Sequence, residues 1–346
     1  MNNVFAALPA LLLPWFDENA RVLPWRENRD PYRVWVSEIM LQQTRVEAVM
    51  GYYTRFLIAF PTVAALAEAD EDTLFKLWEG LGYYSRARNL HKAAKLIVLE
   101  HGGIFPDAYD AIRALPGIGD YTAGAIASIC FEQPRSAVDG NVLRVTARFL
   151  NDETPIDLPA FKQRIRTDLE AVYPAGNCGK FTQAIMELGA TVCTPRAPKC
   201  AVCPLRDHCA GLRDGTADKL PVKIPKKEKK YVQKTVFLLR HGDTLALTRR
   251  APDGLLGGMW ELPNVDAALD AAAALRQAEQ FGVQPEAPES LVHRTHIFTH
   301  ILWDMTAYSI RCAVADTRFV WKTAEEIRAE TALPTAFRKF LEEPPT

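Results

Sequence analysis

Four of the chain's seven cysteines, Cys193, Cys200, Cys203 and Cys209, fall within one 17-residue stretch. No other feature constrains the fold as much. With Pro195, Pro198 and Pro204 among them, so short a segment cannot build a core of its own, and a bound metal would have to order it. Four thiolates either close a tetrahedral zinc site or hold the four irons of a [4Fe–4S] cluster. Zinc ribbons usually bring their ligands as two short pairs separated by a longer loop. A single compact loop departs from that and favours the cluster. Arg196, Lys199 and Arg206 would then form a fixed basic knob. Such clustering, with Cys130, Cys178 and Cys312 standing alone, points to a metal site in a reducing compartment rather than a disulfide framework.

The residues before this loop read as helix after helix. Apolar side chains recur at three- and four-residue spacing over 32–49, 54–59, 71–79, 85–100, 121–130, 141–149, 159–172 and 179–190, between Pro and Gly breakers. The apolar run Val4–Phe16, interrupted by Pro9 and Pro14, is too short to span a membrane and predicts a helix packed on the core. Residues 214–234, with seven lysines and two prolines, read as an extended, solvated linker. Beyond them VFLLR, TLALTRR, THIFTHILWDMTAYSIRC and TRFVW have the character of strands, with one alanine-rich helix over Ala267–Phe281. The expected class is thus multidomain, α followed by α+β. A helical region covers 1–213 with the cysteine loop at 193–209, a Lys/Pro-rich linker covers 214–231, and a second domain covers 232–346. Net charge is −1, so any binding to nucleic acid rests on local patches rather than on bulk charge.

Two motifs in the helical half carry chemistry. In Leu115-Pro116-Gly117-Ile118-Gly119 the glycines permit a tight turn that points amide N–H groups outward at a helix start, an arrangement able to bind phosphate without regard to sequence. Twenty residues after Gly119 stands Asp139, in Ala137-Val138-Asp139-Gly140-Asn141-Val142, just before a helix and so a natural N-cap. The second motif is Trp35-Val36-Ser37-Glu38-Ile39-Met40-Leu41-Gln42-Gln43-Thr44. If Glu38 faces the apolar side of its helix, its pKa rises and it remains a proton donor near neutral pH; if it faces solvent, it is an ordinary surface glutamate.

A glycine hairpin followed at this interval by V-D-G-N-V resembles the helix–hairpin–helix DNA glycosylases, and the downstream cysteine loop resembles their endonuclease III and adenine glycosylase branch. The resemblance covers about residues 20–212. W-V-S-E-I-M-L-Q-Q-T and Gly80-Leu81-Gly82-Tyr83-Tyr84-Ser85-Arg86 are similar to adenine DNA glycosylases (the MutY family), which implies a [4Fe–4S] cluster on Cys193, Cys200, Cys203 and Cys209. It also implies a catalytic set of Glu38, Asp139, Tyr121 and Asn141. Glu38 would protonate N7 of a flipped adenine and then activate water. An ionised Asp139, positioned by Asn141, would stabilise the oxocarbenium-like sugar. Where endonuclease III relatives carry a lysine nucleophile this chain has Tyr121, which cannot form an imine, so the resemblance implies a monofunctional enzyme. Leu23, Trp25, Arg26, Val46 and Gln183 would surround the adenine. Gln43, Thr44, Leu81 and Tyr83 would fill the gap and touch the opposite base, and Gly117 and Gly119 would hold the DNA backbone. Some relatives carry glutamate at Gln183; an amide there recognises adenine but cannot serve as a second acid.

Leu255-Leu256-Gly257-Gly258-Met259-Trp260-Glu261-Leu262-Pro263 resembles the entry to a Nudix motif. Alanines then stand where a metal-binding glutamate helix belongs, and Asp266, Asp270 and Glu279 are dispersed. This argues for a binding module rather than a nucleotide hydrolase. Phe298-Thr299-His300 is similar to the family's 8-oxoguanine-recognising loop. His241, His293, His296 and His300 lack ligand spacing and read as surface or DNA-facing side chains. The expectation is a cytoplasmic, nucleoid-associated monomer acting on double-stranded DNA with adenine opposite 8-oxoguanine or guanine, with no membrane partner. An endonuclease III-like glycosylase/lyase and a non-catalytic DNA-binding module are the competing readings.

Overall fold

The computed structural model describes residues 3–225 and 228–342. Lys226 and Lys227 of the expected linker and residues 343–346 of the expected C-terminal domain lie outside them. The chain forms two compact units: Met1–Glu68 with Asn89–Pro225, and Ala69–Arg88 with Lys226–Thr346. No helix among the described residues is long and apolar enough to cross a membrane.

Helices run in chain order as α1 (Leu8–Asn19), α2 (Pro31–Leu41), α3 (Val46–Ala59), α4 (Val63–Glu68), α5 (Glu71–Trp78), α6 (Ser85–His101), α7 (Tyr109–Ala114), α8 (Asp120–Phe131), α9 (Gly140–Leu150), α10 (Pro159–Glu170), α11 (Cys178–Thr191) and α12 (Ala210–Arg213). In the first unit α1 tolerates Pro9 in its opening turn, where the missing N–H has no partner to lose. It lays Leu8 and Leu12, with Phe5 of the preceding turn, against Val142, Val145 and Phe149 of α9 and Phe181, Ile185 and Leu188 of α11. Each such side chain contributes about 1.5–3 kcal/mol of apolar burial. Asp30 caps α2 by accepting the Arg33 N–H at 3.0 Å, and the helix then buries every residue from Val34 to Met40.

Three sequence expectations change in this unit. The helix predicted over 32–49 is two: α2 stops at Leu41, Gln43 takes a left-handed φ of 57°, and α3 begins at Val46 and absorbs the segment predicted over 54–59. Gln42-Gln43-Thr44-Arg45 holds no Pro or Gly, so periodicity ran through the break unmarked. The six-residue helices α4 and α7 are too short to show a period. The start of the Lys/Pro-rich segment is not solvated linker. Leu220 is buried, its carbonyl accepts Arg148 Nε at 2.9 Å, and Ile156 N–H donates to the Val222 carbonyl at 3.1 Å. Lysine and proline content concealed a strap that satisfies a buried arginine.

The second unit is built on a sheet of β1 (Lys230–His241), β2 (Thr244–Arg249), β3 (Trp260–Glu261), β4 (Asn264–Val265), β5 (Ser290–Ile297), β6 (Ile301–Arg311) and β7 (Val320–Thr323), with helices α13 (Ala271–Gln280), α14 (Ala324–Glu330) and α15 (Thr335–Arg338). The order is β3-β2-β1-β6-β5, with β4 paired to β1 and β7 to β2. β1 and β6 are parallel; the other pairings are antiparallel. Alternation along β1 sends Val236 and Leu238 towards Ile327, Leu333 and Phe337, and Phe237 and Leu239 towards Ala274 and Ala278 of α13. The run THIFTHILWDMTAYSIRC is a hairpin, not one strand: β5 and β6 pair across a turn at Phe298–His300, closed by Phe298 N–H donating to the Ile301 carbonyl at 2.8 Å. Residues 69–88, read from sequence as part of the helical region, pack in this unit.

Candidate active site

The buried stretch of α2 carries Glu38 into the first unit with only 5% of its surface exposed, so the solvent-facing alternative does not hold. The hydroxyl of Tyr121, one residue into α8, donates to Glu38 Oε2 at 2.6 Å. Burial pushes the Glu38 carboxyl up to about 7; the Tyr121 hydrogen bond opposes that, the nearby Asp139 charge adds to it, and Arg26 opposes it. Asp139 is the N-cap of α9, with Oδ1 accepting the Val142 N–H at 2.8 Å and Oδ2 accepting Asn141 Nδ2 at 2.7 Å. Burial raises its pKa as well, against the donors of Val142 and Asn141 and the Arg144 charge. The ionised aspartate expected here is therefore one whose acidity depends on those donors. Glu38 has a single neutral one.

Both carboxylates line one cavity of about 520 Å³, roomy enough for a purine base. Leu23, Trp25, Arg26, Val46, Tyr121, Asn141, Gln183, Gln43 and Thr44 share its wall. The α2–α3 break is what turns Gln43 and Thr44 onto it. Among the described residues that line it there is no lysine. Gly117 takes a φ of +78°, and a Cβ there would lie 2.6 Å from Asn89 Cβ, so the hairpin requires glycine. Gly119 caps α8, which leaves the helix's first amides available to an anion. Leu81, Tyr83, Phe298, Thr299 and His300 belong to the second unit. There Thr299 and His300 are exposed, while the Phe298 ring packs edge-on at 4.8 Å against Trp303 and anchors the turn. Two histidines depart from the expected surface role. His241 bonds the Cys312 carbonyl at 3.0 Å, and the half-buried His296 is held down to about 4, chiefly by burial.

Sequence reading missed Arg21, Glu187 and Arg144. Glu187, 1% exposed, receives Arg21 Nε at 2.6 Å and Arg26 Nη2 at 2.8 Å. Burial works against its charge, yet these two arginines hold its carboxyl below the usual range. Arg144 donates to Asn141 Oδ1 at 2.9 Å and to the Cys193 carbonyl at 2.7 Å, joining the aspartate cap to the cysteine loop. The available signal was helical spacing: Glu187 lies four residues past Gln183 and Arg144 three past Asn141, each pair on one helix face.

The four clustered thiols line a second recess with Arg148, Val192, Pro198 and Leu212. Burial raises the Cys203 thiol to about 12, so a bound cation must displace its proton. Among the described residues no three His, Cys, Asp or Glu side chains are grouped to hold a single metal ion. All four cysteines share the wall of this one recess, and four thiolates are the ligand set that a [4Fe–4S] cluster takes. Arg148 Nη1, 3.4 Å from Cys193 Sγ, supplies compensating positive charge.

Residues 36–167 match the HhH-GPD superfamily of base excision DNA repair proteins, and residues 193–209 match the iron–sulfur binding domain of endonuclease III. Residues 235–343 match the NUDIX domain. The adenine DNA glycosylase of Buchnera aphidicola (subsp. Acyrthosiphon pisum, strain APS) is 32% identical over 302 residues, which span 87% of this chain and 85% of that protein. The chain belongs to the adenine DNA glycosylase family. The adenine DNA glycosylases of Rattus norvegicus (36% identity; 95% of this chain, 76% of the relative) and Homo sapiens (32%; 95% and 72%) agree. The structure of a thermostable thymine-DNA glycosylase covers 62% of this chain and 98% of its own, with 27% identity and a TM-score of 0.57. A trapped endonuclease III–DNA covalent intermediate covers 60% and 95%, with a TM-score of 0.51 and 22% identity, and shares the fold. As an adenine DNA glycosylase the chain is a hydrolase of base excision repair with a [4Fe–4S] cofactor.

Proposed function

We propose that this adenine DNA glycosylase removes adenine paired with 8-oxoguanine, or with guanine, from double-stranded DNA and leaves the strand intact. The observation that carries the chemical part is the buried Glu38–Tyr121 hydrogen bond beside Asp139 in one base-sized cavity. A carboxyl with a pKa near 7 is half protonated at working pH and can donate to N7 of a flipped adenine, which makes the base a competent leaving group. Asp139, fixed by Asn141 and the Val142 N–H, faces the cationic sugar as an anion. Glu38, now ionised, takes a proton from the water that completes hydrolysis. Gln183, with Leu23, Trp25, Arg26 and Val46, shapes the pocket. Gln43, Thr44, Leu81 and Tyr83 serve the gap and the opposite base, and Gly117 and Gly119 the backbone.

Tyr121 stands at the lysine position of the lyase relatives, and none of the described residues lining the cavity is a lysine, which supports a monofunctional reaction. Cys193, Cys200, Cys203 and Cys209 would hold the cluster, whose contribution is to order the loop. In the C-terminal domain Asp266 pairs with Lys234, Asp270 caps α13 and Glu279 is exposed. These scattered duties support a binding module, with Thr299 and His300 exposed on its hairpin turn to read the opposite base.

The test is a duplex with adenine opposite 8-oxoguanine, assayed for strand breaks with and without hot alkali, with E38Q alongside. Breaks only after alkali, and none with E38Q, are expected. Breaks without alkali would replace the monofunctional reading by a lyase. Tight binding with no excision would make the chain a DNA-binding module.

A further inference from the structure

The segment 69–88 leaves the helical unit after Glu68 and re-enters it at Asn89, and it is tied to the C-terminal domain by a set of hydrogen bonds that the glycosylase chemistry does not use. At the start of α5, Asp72 accepts Trp260 Nε1 at 3.2 Å and pairs with Arg249, whose guanidinium lies 4.4 Å over the Trp260 ring. At its end Glu79 Oε1 accepts the Leu333 N–H at 3.1 Å, while Oε2 accepts Lys76 Nζ at 2.8 Å. That ammonium also reaches the Thr331 carbonyl at 3.2 Å. Arg88 bonds the Gly257 carbonyl. Between these clasps the loop is held in an uncommon shape, with left-handed φ at Gly80 (101°), Gly82 (67°) and Tyr83 (46°). The half-exposed Tyr83 hydroxyl lies 3.2 Å from Thr299 Oγ1.

We infer that Asp72 and Glu79 are specificity-determining positioning residues: they lock α5 to the C-terminal domain so that Tyr83 and Thr299 form a single preassembled edge for reading the opposite base. This rests on the proposed role of that edge in recognising 8-oxoguanine. An edge assembled before DNA arrives loses no ordering entropy when it grips its base, and a loosened one does. The loss falls on the opposite base that the edge grips, 8-oxoguanine, and spares plain guanine. Asp72 touches neither the excision cavity nor the reacting atoms, so the chemical step is left alone.

The experiment is single-turnover excision from A:8-oxoG and A:G duplexes by the full-length, cluster-loaded enzyme as wild type, D72N and E79Q. Melting temperature and hydrogen exchange of the α5 amides are measured in parallel. D72N is expected to lower the ratio of the A:8-oxoG rate to the A:G rate roughly tenfold, the scale of one hydrogen bond to a charged group, with faster exchange across α5. E79Q should act in the same direction. The charge swap D72R/R249D should recover part of the ratio. Faster α5 exchange with an unchanged ratio overturns the inference while leaving the opposite-base reading intact, as does an equal fall of both rates with a lower melting temperature. Equal wild-type rates on the two duplexes would instead remove the 8-oxoguanine reading on which the inference stands.

Discussion

Glu38 shows how one side chain trades stability for reactivity. Its carboxyl sits in an apolar helix face and titrates near 7 rather than at its usual acidic value. A carboxyl whose folded pKa is raised stabilises the fold fully only below its unfolded pKa of 4.5, and that contribution is lost as pH rises through about 7. E38Q removes the liability and should be the more stable protein at pH 8, by up to ~3 kcal/mol. The gap should narrow as pH falls and close only below 4.5, where wild-type Glu38 becomes protonated in both states. Thermal melts of both proteins across that range check this; a gap independent of pH would mean the carboxyl is not the cause. Excision should share the same basic limb, falling above about pH 7 as the acid form disappears.

At the scale of elements, the site is a matter of how closely α9 and α11 approach. A Cβ on Gly189 of α11 would lie 2.6 Å from Asn141 Cβ and 3.1 Å from its backbone carbonyl oxygen, on the turn that presents Asp139. G189A must push the helices apart or move Asn141. About 1–3 kcal/mol of destabilisation is expected, with a fall in excision rate larger than the fall in DNA affinity. Lost stability and lost activity are separate readouts of that displacement. Melting temperature with single-turnover rate separates the two; a normal rate in G189A would show that the contact relaxes without disturbing the aspartate. Sequence periodicity identified the helices that make this contact and could not show their spacing, because a glycine inside an apolar helix looks like any small residue.

For the molecule as a whole, the cluster loop joins elements far apart in sequence. Arg148 spans from α9 to Cys193 Sγ, to the Thr194 carbonyl at 2.7 Å and to the Leu220 carbonyl, while Arg144 links Asn141 to the Cys193 carbonyl. Loss of the cluster should leave these arginines among unordered acceptors and loosen the loop first. C203S is expected to lose iron and visible absorbance and to become protease-sensitive near residues 193–220, with DNA binding reduced and helical circular dichroism largely kept. Wholesale loss of helix would place the cluster in the folding of the entire first unit.

The sequence by itself determined the parts whose information is local. The cysteine spacing, the glycine hairpin, the aspartate N-cap and the period change near residue 230 were legible because each is a short-range rule about backbone or ligand geometry, whereas the α2 motif and the tyrosine in place of lysine were legible only through resemblance to a family. Tertiary structure alone decided the rest. Whether Glu38 faced water or apolar neighbours depended on what lay around α2. The α2–α3 break carried no local breaker, yet it is what brings Gln43 and Thr44 to the cavity. The strap at Leu220 was hidden by its lysines, and the membership of residues 69–88 in the C-terminal unit was hidden by their ordinary helical pattern. Periodicity reports which face of an element is buried and is silent on which partner buries it, since burial against one apolar surface is energetically much like burial against another.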